Sequence, residues 1–215
     1  HLRVHDVRRL RYHLVPRLMD MVPRINNRTL VHQYKAEPGD EHYRLLCYLA
    51  RTQRVGSLVA DVGTGPYGLS SLALGCNPHV PVFSFDVEST RASLARLHRD
   101  FEHRIQDKLT NIFFVHGDAL APRNSRTLLA ASVILLSTHR DPDRLPFEVA
   151  FVDFLRRNCF AGLLVMDGIH LNAGMERLWN SIESPPRKYD VTLMGRPIGT
   201  GIVDFSGRLV IDGDM

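Results

Sequence analysis

Three acidic residues and a set of glycines carry the chemical signal in this 215-residue chain. The run Leu58-Val59-Ala60-Asp61-Val62 is apolar apart from its fourth residue and opens on Gly63-Thr64-Gly65-Pro66-Tyr67-Gly68. Glycine lets a backbone turn sharply and approach a ligand that a Cβ would hold off. Residues 69–74 continue as an apolar segment at helical spacing. The pattern therefore predicts a buried strand, a turn, and a helix whose amino end faces a nucleotide.

Read bare, Gly63-x-Gly65-x-x-Gly68 is also the dinucleotide-binding fingerprint. Asp61 favours a different ligand. A carboxylate two residues before the first glycine would sit in an unfavourable field beside a pyrophosphate. S-adenosylmethionine has no phosphate and carries an ammonium that such a carboxylate can neutralise. A second acid, Asp86, closes the next apolar run, 23 positions after Gly63. This is near the ~20-residue offset at which an acid meets ribose hydroxyls. A third, Asp118, follows residues 112–115 and is expected to accept from the exocyclic amine of adenine.

Two further turns hold residues suited to acid–base chemistry: Ser137-Thr138-His139-Arg140-Asp141 and Asp167-Gly168-Ile169-His170-Leu171-Asn172. Imidazoles and carboxylates on strand ends are where a general base or a metal would be placed. Among the 11 histidines, His139 and His170 stand out by this location.

The elements that must position these residues follow from periodicity. Helices are expected over 5–21, 40–51, 69–74, 89–108, 125–131, 147–158 and 174–182. Near-continuous apolar strands alternate with them at 58–62, 81–86, 112–115, 133–136 and 163–166. Such alternation implies a parallel sheet covered on both faces, with ligands at the carboxyl ends of the strands. Residues 189–194 and 200–205 read as two closing strands joined without a helix, an antiparallel hairpin on an otherwise parallel sheet.

Length and composition bound the rest. At 44% hydrophobic and 23% charged, the chain is ordinary for one globular domain over 1–215, with a helical segment to residue 55 and the core beyond. It starts at His1, as a piece of a longer polypeptide would. No apolar stretch reaches the ~18 residues of a membrane span, and no signal peptide is visible. Cys47, Cys76 and Cys159 lack paired spacing, so a cytoplasmic, reducing setting is the default. The net charge of +4 is uneven: Arg3, Arg8, Arg9, Arg11, Arg17, Arg24 and Arg28 all precede the first core strand. Such a run is usually a solvated helix face, an RNA or acidic-glycan contact being the sharper reading.

Several segments together resemble a known family: His42-Tyr43-Arg44-Leu45-Leu46, Asp61-Val62-Gly63-Thr64, residues 70–74, Phe83-Ser84-Phe85-Asp86, residues 167–172 and residues 199–205. From residue 41 to 205 the chain is similar to class I S-adenosylmethionine-dependent methyltransferases of a group found in large DNA viruses and bacteria. Some members are sugar O-methyltransferases, including the carboxy-terminal domain of a multidomain chlorovirus glycosyltransferase that decorates rhamnose. The resemblance implies a Rossmann-like α/β fold, mostly parallel and seven-stranded with helices on both faces and an antiparallel carboxy-terminal hairpin. It further implies O-methylation of a sugar or glycan hydroxyl, fused glycosyltransferase domains as partners, and host cytoplasm if the source is viral.

On this reading Asp61, Gly63, Thr64, Gly65, Tyr67, Asp86, Asp118 and Ser137 contact the cofactor, and His139, Asp167 and His170 serve catalysis. Metal-dependent relatives place carboxylates where this chain has Ser137 and Gly168, so no metal is expected; if one binds, Asp141 and Asp167 are its ligands. Two other outcomes stay open. One is ribose 2'-O-methylation of RNA, since motifs for amine or cytosine methylation are absent. The other is a degenerate domain that binds the cofactor without catalysis.

Overall fold

A computed structural model describes residues 2–3, 6, 41–65, 68–88, 110–138, 145–183 and 185–212. The helices expected over 5–21 and 89–108 lie outside these residues, apart from Asp6. In chain order the described elements are β1 (Leu2–Arg3), α1 (Tyr43–Arg51), β2 (Leu58–Val62), α2 (Leu69–Leu74), β3 (Val82–Asp86), β4 (Ile112–His116), α3 (Ser125–Ala130), β5 (Ala131–Leu136), α4 (Pro146–Arg157), β6 (Leu163–Asp167), α5 (Ala173–Ser181), β7 (Arg187–Asp190), β8 (Thr200–Asp204) and β9 (Ile211–Asp212).

Seven strands form one sheet in the order β4-β3-β2-β5-β6-β8-β7. β2 through β6 pair in parallel, and β8 runs antiparallel to both β6 and β7. This is the expected mixed sheet with its carboxy-terminal reversal.

The two-residue period of a strand decides what each face sees. Val59, Val133, Leu135, Val165 and Ile202 point to one side, where Leu45, Leu46 and Leu49 of α1 and Leu72 and Leu74 of α2 cover them. Ala60, Val62, Ile134, Leu136, Leu164, Met166 and Val203 point to the other, under Leu128 of α3, Phe151 and Leu155 of α4 and Trp179 of α5. Both faces of the central strands are dry, which is why these strands read as continuous apolar runs rather than alternating ones.

Two features depart from the sequence reading. The strand expected over 189–194 starts earlier and stops at Asp190, whose Oδ1 accepts from Thr192 N at 3.0 Å and Thr192 Oγ1 at 2.6 Å. That side chain closes a turn and hands the chain to the 3-10 segment Thr192–Met194. The second is a small parallel pair: buried Leu2 of β1 lies opposite Ile211 of β9. Cys47 and Cys76, distant in sequence, come together where α1 meets the end of α2, with Cys76 Sγ donating to the Cys47 carbonyl at 3.4 Å. No helix among the described residues is long and apolar enough to cross a membrane.

Candidate functional site

A cavity of about 470 Å³ opens at the carboxyl ends of the central strands. Its walls come from the end of β2 (Val62, Gly63, Gly65), the end of β3 (Phe85, Asp86, Val87, Glu88), the turn after β4 (Gly117, Ala119), the end of β5 (Ser137, Thr138) and the start of α4 (Pro146, Phe147, Glu148). The volume is that of a site for a nucleoside-sized ligand. Three carboxylates line it, and no lysine, arginine or histidine does so among the described residues. The Arg123 guanidinium comes near Gly117, where an added Cβ would meet it at 3.0 Å, without lining the space.

The two glycines of the turn serve different ends. Gly65 has φ +66° and only open space where its Cβ would point. At Gly63, φ is +96° and a Cβ would fall 2.1 Å from the carbonyl oxygen of Ser137. Close packing of β2 on β5, as well as any ligand, thus demands glycine there. Asp86 braces the same turn: its Oδ2 accepts from Gly65 N at 3.1 Å and its Oδ1 from Glu88 N at 2.8 Å.

Asp61 lies elsewhere. It shares the parity of Val59, so its side chain enters the α1/α2 layer and is fully buried. Ser71 Oγ donates to its Oδ2 at 2.5 Å and lies 2.8 Å from Ser84 Oγ, which is 2.5 Å from Thr64 Oγ1. Burial pushes the Asp61 carboxyl up to about 7, against the Ser71 hydrogen bond and the nearby His42. Asp61 and Thr64 therefore form a polar chain beneath the turn, and neither lines the cavity.

Asp167 has the same parity as Val165 and is likewise fully buried on the α1 side. Its Oδ2 accepts from Arg196 Nη1 at 2.7 Å and from Ser137 Oγ at 3.0 Å. Its Oδ1 is 3.6 Å from His42 Nδ1, and His42 Nε2 is 3.3 Å from Ser70 Oγ. Arg196 Nε also meets Glu41 Oε2 at 3.1 Å. Burial works against the guanidinium's charge, but Asp167 and Glu41 outweigh it and raise its pKa further. The same surroundings, burial first and then Glu41, lift the buried Tyr43 phenol well above its usual range. Ser137 is the hinge of the site, lining the cavity and bonded to Asp167.

Of the residues singled out from the sequence, Gly63, Gly65, Asp86 and Ser137 are brought together at the cavity, and Asp167 joins them through Ser137. Asp118 is exposed and uses its Oδ1 to accept from Leu120 N at 2.8 Å, while its neighbours Gly117 and Ala119 line the space. His170 is half-exposed, with Nε2 2.7 Å from Asp190 Oδ2, away from the cavity. His139, Asp141 and Tyr67 lie outside the described residues.

Sequence reasoning did not single out Arg196, Glu41 or Glu148, and it named His42 only within a segment of the family resemblance, with no role at the site. Glu148 carried a faint signal, since Leu145-Pro146 before it marks a helix start at the edge of the ligand side. Among the described residues no group of three or more His, Cys, Asp or Glu is placed to hold a metal ion.

No family model matches the chain, and no curated protein does. Solved structures do. The cofactor-bound Rv0187 from MTB is 16% identical with a TM-score of 0.58, over 89% of this chain and 90% of that one. A candidate caffeoyl-CoA O-methyltransferase from Staphylococcus aureus is 13% identical with a TM-score of 0.53, over 88% of this chain and 98% of that one. A candidate O-methyltransferase from Klebsiella pneumoniae is 14% identical with a TM-score of 0.53, over 91% of both chains. At such identities the likeness is one of fold, and the fold is the Rossmann-like one of methyltransferases.

Proposed function

We propose that this chain is an O-methyltransferase that takes its methyl group from S-adenosylmethionine and delivers it to a hydroxyl, on a sugar or glycan. The observation that carries this reading is the charge of the cavity: three carboxylates and, among the described lining residues, no cation. A dinucleotide would bring a pyrophosphate into that field at a Coulombic cost, whereas a sulfonium and an ammonium are welcome in it. The fit is chemical as well as volumetric. Phe85, Val87, Ala119 and Phe147 offer apolar walls to a purine, and Asp86, fixed by two backbone N–H groups, faces the ribose hydroxyls.

When bound, the cofactor supplies an electrophilic methyl group. The chain's own part is to orient the acceptor and remove its proton. Ser137 lines the cavity and suits a sugar hydroxyl, and Asp167 and Arg196, held to it by the bonds above, fix its orientation. His139 directly follows Thr138, a lining residue, and in this scheme takes the proton from the acceptor oxygen. Most of the acceleration then comes from alignment of the reacting atoms.

Two measurements test the reading. Calorimetry should detect binding of S-adenosylmethionine and S-adenosylhomocysteine but not of NAD. Incubation with methyl-labelled cofactor should transfer label to a member of a sugar panel in preference to nucleosides or RNA. Tighter binding of NAD would end the proposal, and label appearing only in RNA would move the acceptor to a ribose hydroxyl.

A further inference from the structure

Resting on the S-adenosylmethionine reading, we infer that Glu148, and not Asp118, receives the exocyclic amine of the adenine ring and so sets the base specificity of the cavity. At position 6 a 6-amino purine presents a donor and a 6-oxo purine an acceptor. An ionised carboxylate only accepts, so it distinguishes the two. Glu148 is 4% exposed and yet lines the cavity, beside Pro146 and Phe147. Its Oε1 is taken by Thr138 Oγ1, which fixes the side chain and leaves the rest of the carboxylate to a ligand. Its place in the first turn of the twelve-residue α4 favours the negative charge.

Asp118 is built differently. Its carboxylate is exposed, folds back to cap Leu120 N, and does not line the cavity. Glu148 also ties the start of α4 to the end of β5, and that tie alone would be a structural role. The two roles part on one observable: a tie affects all ligands alike, whereas a base reader changes the ratio between purines.

The experiment is calorimetry on the full chain with S-adenosylhomocysteine and its 6-oxo counterpart, S-inosylhomocysteine. The unaltered chain should prefer the 6-amino ligand by about tenfold to a hundredfold, the span of one hydrogen bond to a charged group. In Glu148→Gln the amide oxygen still accepts from Thr138, while the amide nitrogen meets the ring as a donor. The ratio should fall to near one or invert. Asp118→Asn should keep the original ratio, and it decides the matter if Glu148→Gln does not fold. An unchanged ratio in Glu148→Gln, a lost ratio in Asp118→Asn, or no preference in the unaltered chain would each overturn the assignment. Failure of the unaltered chain to bind either ligand would instead remove the cofactor reading beneath it.

Discussion

Asp61 and Asp86 stand on neighbouring strands and share a face two residues apart in depth, yet the sheet treats them as opposites. Asp86 is the last residue of β3, reaches the rim and is held by backbone N–H groups while it lines the cavity. Asp61 is the last but one of β2, level with Ser84 and two residues deeper, so it lies inside the α1/α2 layer, where serine hydroxyls replace water. The same contrast separates the rim from the interior. At the rim, carboxylates border open volume. Inside, Arg196 is paired with both Asp167 and Glu41, and His42 stands 3.6 Å from Asp167. The lesson is that two residues of depth along one face decide whether an acid borders the ligand's space or supports the loop that does.

The largest expected effect lies where the two regions meet, at the turn after β5. If His139 is the base that serves both, His139→Ala should lower turnover by roughly 10²–10⁴-fold, the usual share of a general base. Cofactor affinity should barely change. His170→Ala is the comparison and should cost less, because that ring is engaged by Asp190 and does not line the cavity. Near-normal turnover in the His139 variant would remove it from the scheme and leave Asp167 as the next group to test.

Asp61 should reveal itself through pH rather than through ligand. Its carboxyl titrates at about 7 in the fold, pushed up first by burial, against an ordinary value near 3.8. The folded state therefore holds this proton more tightly than the unfolded one. Stability from it is present below about pH 4, is lost as pH rises to about 7, and stays lost above. The full span is on the order of 4 kcal/mol. Asp61→Asn should flatten that decline, which urea unfolding at pH 5 and pH 8 would show. An identical pH slope in both proteins would mean that the carboxyl is not held as described.

How much of this was legible beforehand follows from the same contrast. The central strands and most helices were readable because both faces of those strands are dry, so apolar runs and helical periods were unbroken. Asp86 and Ser137 were readable because they stand at strand ends beside a glycine turn. The direction of Asp61 was a matter of parity, and the run around it, apolar on both sides, gave no alternation from which to read it. Arg196 and Glu41 are 155 positions apart, and only the antiparallel β8 and the placement of α1 bring them to Asp167. No local spacing announces such a meeting. The end of β7 was misread because an aspartate–threonine turn looks, in sequence, like one more polar residue in a strand.

A smaller effect is expected at the rim. Asp86→Ala should weaken binding of S-adenosylhomocysteine by ~1.5–3 kcal/mol, the range for hydrogen bonds to a charged group. It should cost less stability than Asp61→Ala, since Asp86 stands at the rim of the cavity and Asp61 is fully buried. Asp61→Ala should show the reverse, a loss of stability with a smaller change in affinity. Should Asp61→Ala instead prove the worse binder at equal stability, the division between ligand-reading and loop-supporting acids would collapse.

The smallest effect predicted is none at all, and it bears on the α1 side. A divalent cation of the hard type needs several oxygen ligands, at least two of them usually carboxylates. At this position the buried carboxylate of Asp167 already accepts from the Arg196 guanidinium and the Ser137 hydroxyl, and Arg196 is held in turn by Glu41. A metal there would have to displace a cation that is charged at every accessible pH, at a site where the next residue, Gly168, has no side chain to offer. Turnover should therefore be the same after exhaustive chelation as with added magnesium or manganese. Arg196→Ala sharpens the test. Removing the guanidinium leaves Asp167 and Glu41 facing each other, which should lower turnover, and that loss should be partly restored by manganese. Chelation that abolishes turnover of the unaltered chain, reversed by adding the metal back, would show that Arg196 does not hold the cationic position during the reaction.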